Sequence, residues 1–142
     1  MPRIPVNPTD LPTEVPPIED GSIQDVVIKE FKSKGTDKND VEFGALRVEV
    51  LGGEWEGRTL YDYYVPYPIV TPPNASKAER QKLDFINVKM GRIAKCFNVK
   101  ARPDGFDPEE DLLGLTGKIT IQNREYPEGS GTMRSGIGEY LI

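Results

Sequence analysis

Residues 52–67, GGEWEGRTLYDYYVPY, decide how the chain is read, because a turn signal and an aromatic strand adjoin within them. They hold the only tryptophan, Trp55, and four of the six tyrosines. Gly52 and Gly53 can take backbone angles barred to other residues, so they end one strand and let residues 54–57 turn into the next. A strand then runs from Arg58 to about Val65. Successive side chains in a strand point to opposite faces, so Tyr61, Tyr63, Tyr64 and their neighbours put aromatic or apolar groups on both. One face must look into a core. The other could stack bases, or lie under a neighbouring loop.

Upstream, Leu46, Val48 and Val50 alternate with Arg47 and Glu49, the pattern of a half-buried strand with Arg47 on its wet face. Residues 22–31, SIQDVVIKEF, are rich in β-branched side chains and read as the first strand, with residues 32–40 as a polar loop. Residues 1–20 contain six of the thirteen prolines, which favour extended geometry and remove amide donors. They read as an arm without strand or helix, with Leu11, Val15 and Ile18 available as anchors, preceding a domain over residues 21–142.

Downstream, four prolines in residues 66–73 end the aromatic strand, and Ser76-Lys77-Ala78-Glu79 has the spacing of a helix-opening capping box. Leu83, Ile86, Met90, Ile93, Ala94 and Phe97 then recur at steps of three and four, one stripe on a helix. Gly91 costs about 1 kcal/mol in a helix interior, which predicts a kink or a split there. Residues 118–124, KITIQNR, alternate with Ile119 and Ile121 inward and Lys118 and Arg124 outward. Residues 125–135 read as a Gly/Ser-rich loop and residues 136–142 as a last short strand. The whole is mostly β with one helix between strands 3 and 4, an order that fits a five-stranded Greek-key barrel of the OB-fold type and is also compatible with other α+β arrangements.

Composition narrows the chemistry. With no histidine and a single cysteine, Cys96, the commonest general base is missing and a thiolate-rich zinc site is excluded. Residues 103–114 carry five acids, yet lack the alternating acids, central glycine and terminal glutamate of a calcium loop. The glycines at 129, 131, 136 and 138 lack the Gly-Lys-Ser/Thr ending of a phosphate cradle. No catalytic constellation is recognisable. The lone cysteine and the absence of a secretory pattern at the start point to a cytoplasmic protein without a membrane segment. The formal charge of −5 conceals a basic segment: residues 76–102 carry eight basic residues against two acidic ones.

Four stretches also resemble the small phage-encoded proteins long catalogued as a domain of unknown function and since associated with single-stranded DNA binding. They are RVEVLGGEWEGRTLYDYY, GRIAKCFNV, DLLGLTGKITI and GIGEYL, within residues 22–142. The connection over residues 66–82 is longer than that family's usual one. The resemblance implies an OB-type, non-catalytic protein that binds single-stranded DNA in phage replication or recombination, in the host cytoplasm, with proteins of those processes as partners and no cofactor. Nonspecific single-strand binding needs cations along the backbone and aromatic faces for bases. Trp55, Tyr61, Tyr63, Tyr64 and Tyr67 are the stacking candidates, and Lys29, Arg47, Arg58, Lys118 and Arg124 the phosphate contacts. The alternative is a phage structural or assembly module that uses the proline-rich arm and the Tyr/Pro segment for protein contacts. The oligomeric state is open.

Overall fold

A computed structural model describes residues 2–142. Five strands form one antiparallel sheet: β1 (Ile23–Thr36), β2 (Glu42–Val50), β3 (Thr59–Pro66), β4 (Thr116–Glu125) and β5 (Met133–Tyr140). Helix α1 (Lys77–Cys96) lies between β3 and β4, as expected, and is followed by a one-turn helix α2 (Pro108–Asp111) that the sequence reading placed in a loop. The sheet order is β3-β2-β1-β4-β5. The run β4-β1-β2-β3 within it is Greek-key order, in which a long connection returns the fourth strand beside the first. The hydrogen-bonded sheet is open, with β3 and β5 at its edges, so backbone ladders do not close the expected barrel.

The first strand is longer than expected. Residues 32–36, anticipated as loop, continue β1 because their backbone pairs with residues 42–45 of β2, a partnership that polar side chains do not advertise. Two bulges interrupt this pairing, one between Ile28 and Glu30 and one between Ser33 and Gly35. The first changes which side of the strand is inward, so that Val26 and Ile28 are buried before it and Phe31 after it. Bulges also bend a strand. β1 pairs with β4 through residues 23–27 and with β2 through residues 26–36.

The core is made where the bent sheet wraps on itself. Val26, Ile28, Leu46, Val48, Leu60, Val65, Ile119 and Ile121 converge with Met90, Ile93 and Phe97 of α1, and the described residues include no buried polar or charged residue. The helix is continuous through Gly91, and Ser76 caps it by accepting from the Glu79 amide at 3.2 Å. Leu83 and Ile86, on the same stripe, are only half-buried. The arm makes one 3-10 turn at Pro8–Asp10 and forms no other helix or strand over residues 2–20, with bends at residues 5–6, 11 and 13–14. Ile18 is its anchor, fully buried, while Leu11 and Val15 stay exposed. Ile18 donates its amide to Ser135 Oγ and accepts from Asn123 Nδ2, which fastens the arm to β4 and β5.

Candidate functional site

The geometry of the site begins with a bulge in β3. Leu46 pairs with Asp62 and Gly44 with Val65, so Ala45 alone opposes both Tyr63 and Tyr64. Unbroken alternation would put Val65 on the same face as Tyr61 and Tyr63. The extra residue turns Val65 into the core instead, and leaves all three tyrosines exposed. Tyr61 and Tyr63 are stacked, with ring centroids 5.3 Å apart and planes 7° from parallel. Tyr64 turns the other way, packing on Phe43 and donating its hydroxyl to Asp37 Oδ2 at 2.6 Å. Asp37 also accepts from the Asn39 and Val41 amides and organises the β1–β2 loop. The Tyr64 hydroxyl, followed by those amides, lowers the Asp37 pKa, and the same hydrogen bond raises that of Tyr64.

β5 faces β3 across the open edge of the sheet. Ile119 pairs with Tyr140 and Ile121 with Ile137, so Gly138 and Glu139 bulge opposite Thr120. Thr120 Oγ1 accepts the Glu139 amide at 2.9 Å and sits 2.8 Å from where a Cβ on Gly138 would be, so a side chain there would have to displace this hydrogen-bonded hydroxyl. Tyr140 reaches across to donate to Asp62 Oδ2 at 2.7 Å. Asp62 Oδ1 accepts from Lys89 Nζ of α1 at 2.8 Å, and Lys89 also donates to the Tyr64 carbonyl. Burial, and then the Asp62 carboxylate, push the Tyr140 phenol well above its ordinary pKa. One carboxylate thus ties β3, β5 and α1 together.

Over this seam lies a groove of about 1400 Å³. Tyr61, Tyr63 and Tyr64 form one bank, Gln122, Arg124, Tyr126 and Arg134 the other, and Val88, Lys89 and Arg92 of α1 contribute to its wall. Gly136, directly opposite Gln122, lines the groove without a side chain. Arg124 and Arg134 are also direct cross-strand partners, so their side chains share a face. Arg124 donates to Gln122 Oε1 at 3.0 Å, and the Arg134 guanidinium lies 5.0 Å from the Tyr126 ring centroid. Neither arginine, nor Arg92, forms an ion pair among the described residues.

Of the residues singled out from sequence, the groove gathers Tyr61, Tyr63, Tyr64 and Arg124. Arg47 lies directly across from Tyr61 on β2, with its Nε buried and without a hydrogen-bond partner. The others do not line the groove. Trp55 packs against the core in the β2–β3 turn under Arg58, whose guanidinium is 5.6 Å from the indole and donates to the Pro16 carbonyl at 2.9 Å. Tyr67 packs on Phe31 and donates to Glu109 Oε1 at 2.7 Å. Lys29 pairs with Glu49 at 3.2 Å and Lys118 with Asp25 at 2.7 Å.

Tyr126, Arg134 and Tyr140, with the acids Asp62 and Glu139, line the groove without having been singled out from sequence, and Lys89 and Arg92 were visible there only as part of the basic segment. The signal for the first was present, because the outward alternation Gln122, Arg124 continues to Tyr126. Acids in the 103–114 stretch have structural partners: Asp107 caps α2 by accepting the Glu109 amide, and Asp111 pairs with Arg102 at 3.3 Å. No group of three or more potential metal-binding side chains occurs among the described residues. None of the described helices is long and apolar enough to cross a membrane. Comparison with protein-family models and with curated proteins finds no match for the chain.

Proposed function

We propose that the protein is a non-catalytic single-stranded DNA-binding protein of the OB type, and that the groove between β3 and β5 is its site. The observation that carries this reading is the pairing of Arg124 with Arg134 opposite the stacked Tyr61 and Tyr63. Like charges directly opposite in a sheet destabilise it, so two arginines held there without an acidic partner favour an anionic occupant. A phosphodiester chain provides that charge, and its unpaired bases have faces to lay on the tyrosines. Groove cations meet phosphate although the whole chain is acidic, because binding rests on local potential.

The architecture supports the same reading. OB-fold proteins bind oligonucleotides on the face of strands 2 and 3 and through the loops joining strands 1 to 2 and 4 to 5. Here β3 supplies the tyrosines, the β1–β2 loop holds Tyr64 through Asp37, and Tyr126 lies where β4 leads into β5. The Greek-key order, the helix after β3 and the approach of β3 to β5 accord with an OB barrel whose last seam is bridged by side chains. The resemblance adds phage replication or recombination in the host cytoplasm as the setting.

The test is a titration of fluorescently labelled oligo-dT followed by anisotropy at low and moderate salt, with duplex DNA of equal length as competitor. Salt-sensitive binding that prefers the single strand is expected, and Tyr61→Ala should weaken it by roughly 1–3 kcal/mol. No binding at micromolar protein in low salt overturns the reading and favours an assembly module.

A further inference from the structure

We propose that α1 carries the single strand beyond the groove, with Phe85 as an additional stacking platform and Lys82 and Arg92 as phosphate contacts. The proposal rests on the reading of the groove as a single-strand site and extends it along the helix. Phe85 is 82% exposed, on a helix whose core contacts come from the stripe through Met90, Ile93 and Phe97. Single exposed apolar side chains are common, but Phe85 adjoins the exposed Val88 at the margin of the groove, and contiguous apolar surface of this kind marks an interaction site.

Its neighbours say which occupant. Residues three and four apart adjoin on a helix surface, so Phe85 sits beside Lys82 on one side and Val88 and Lys89 on the other. Val88, Lys89 and Arg92 already line the groove, and Phe85 continues that line toward the helix start. From Phe85 to Arg92 is roughly 10 Å along the axis. Lys82 and Arg92 form no ion pair or side-chain hydrogen bond among the described residues, whereas Lys89 is engaged by Asp62. Of the two acids of α1, Glu79 adjoins Lys82 but is engaged by Ser76, and Asp84 lies about 100° around the helix from Phe85. Cations flanking a bare aromatic ring, in line with a groove of the same make-up, suit a nucleic-acid strand better than an acid-poor apolar peptide.

The experiment is an anisotropy series with oligo-dT of increasing length, on wild type, Phe85→Ala, Phe85→Trp and Tyr61→Ala, each checked for folding by urea denaturation. Phe85→Ala is expected to lose affinity progressively as the oligonucleotide lengthens, reaching about fivefold or more. Phe85→Trp should restore it, and Tyr61→Ala should lose affinity at every length. If Phe85→Ala matches wild type at all lengths while Tyr61→Ala is weakened, the helix track is wrong and the groove stands. If wild type binds no oligonucleotide, both readings fall.

Discussion

Tyr140 on β5 donates its hydroxyl to Asp62 Oδ2 on β3 at 2.7 Å, across the two edges of the sheet. With Lys89 on the other carboxylate oxygen, this contact decides how far apart the banks of the groove stand. The Asp62 side chain is 14% exposed, so its loss would leave the Tyr140 phenol, and Lys89 with its side chain 35% exposed, without their acceptor. Hydrogen bonds to charged groups contribute roughly 1.5–3 kcal/mol each, and Lys89 is open enough to water to reduce its share. Asp62→Ala is therefore expected to cost about 2–3 kcal/mol in urea denaturation. Asp62→Asn, which keeps an oxygen for Tyr140, should cost less. Equal midpoints for Asp62→Ala and wild type would show that the seam is held by something else.

Gly136 offers a way to fill the groove without disturbing the core. A Cβ there would meet only ordinary contacts, 3.7 Å from the Gln122 carbonyl oxygen and 4.0 Å from that of Tyr61. Valine suits a strand and glycine does not, so Gly136→Val should be at least as stable as wild type. Its side chain shares the face of Gln122 and occupies the space where a base or sugar would lie. Oligo-dT affinity should fall about tenfold or more, with no loss in thermal midpoint. Undiminished affinity would move the site elsewhere.

What the sequence could and could not disclose follows from where its signals are local. Helix α1 was legible because Met90, Ile93 and Phe97 repeat at helical spacing, and β4 because Ile119 and Ile121 alternate with polar residues. The strand content and the place of the helix follow from such runs. The bulge at Tyr63 and Tyr64 was not legible, because it arises from the pairing of β3 with β2, and no residue in DYYV announces that Ala45 will oppose two partners. Arg134 was hidden for a similar reason. The glycines before it suggested a loop as far as residue 135, whereas β5 begins at Met133 by pairing with Glu125. That pairing brings Arg134 to Arg124, a juxtaposition visible only once the register is known. Arg58 and Lys118 stood out because charge is visible in a sequence, whereas their contacts with the Pro16 carbonyl and Asp25 are not.

The arginine pair should show opposite effects on binding and on stability. Each phosphate contact to a single strand contributes about 0.7 to the slope of log affinity against log salt. Arg124→Ala and Arg134→Ala should each reduce that slope by about this amount. Removing either one relieves a like-charge cross-strand pair, so the unfolding free energy from urea denaturation should hold steady or rise by a few tenths of a kcal/mol. A variant that loses stability and keeps its salt slope would make these arginines structural.

Trp55 is set apart from the groove by its place in the β2–β3 turn, where Arg58 links it to the arm at Pro16. Its emission should therefore change little when oligo-dT saturates the protein, even as anisotropy reports binding. Deleting residues 2–15 leaves Pro16 and the buried Ile18 in place, whereas Arg58→Ala removes the cation over the indole and should shift the emission. Strong quenching of Trp55 by oligo-dT would put the strand on the turn rather than between β3 and β5.

Tyr67 gives the fold an alkaline limit. Its ring packs on Phe31 and its hydroxyl donates to Glu109, joining the end of β3 to α2. Burial first, and then the hydrogen bond and charge of Glu109, push its pKa up to about 12 from an ordinary value of 10.0. A folded-state pKa above the unfolded one means that the unfolded chain loses its proton first as pH rises. The stabilisation is therefore complete below pH 10 and is lost progressively between pH 10 and about 12. Tyr67→Phe cannot ionise and lacks the hydrogen bond, so it should be less stable than wild type near pH 8 by about 1 kcal/mol. Its stability should then fall less steeply across the alkaline range, although Tyr64 and Tyr140, also raised, keep the decline from vanishing. Urea midpoints at pH 8, 10 and 11 for both proteins measure the two slopes. Parallel slopes would assign the alkaline loss to those other tyrosines and leave the Tyr67–Glu109 contact without a role in it.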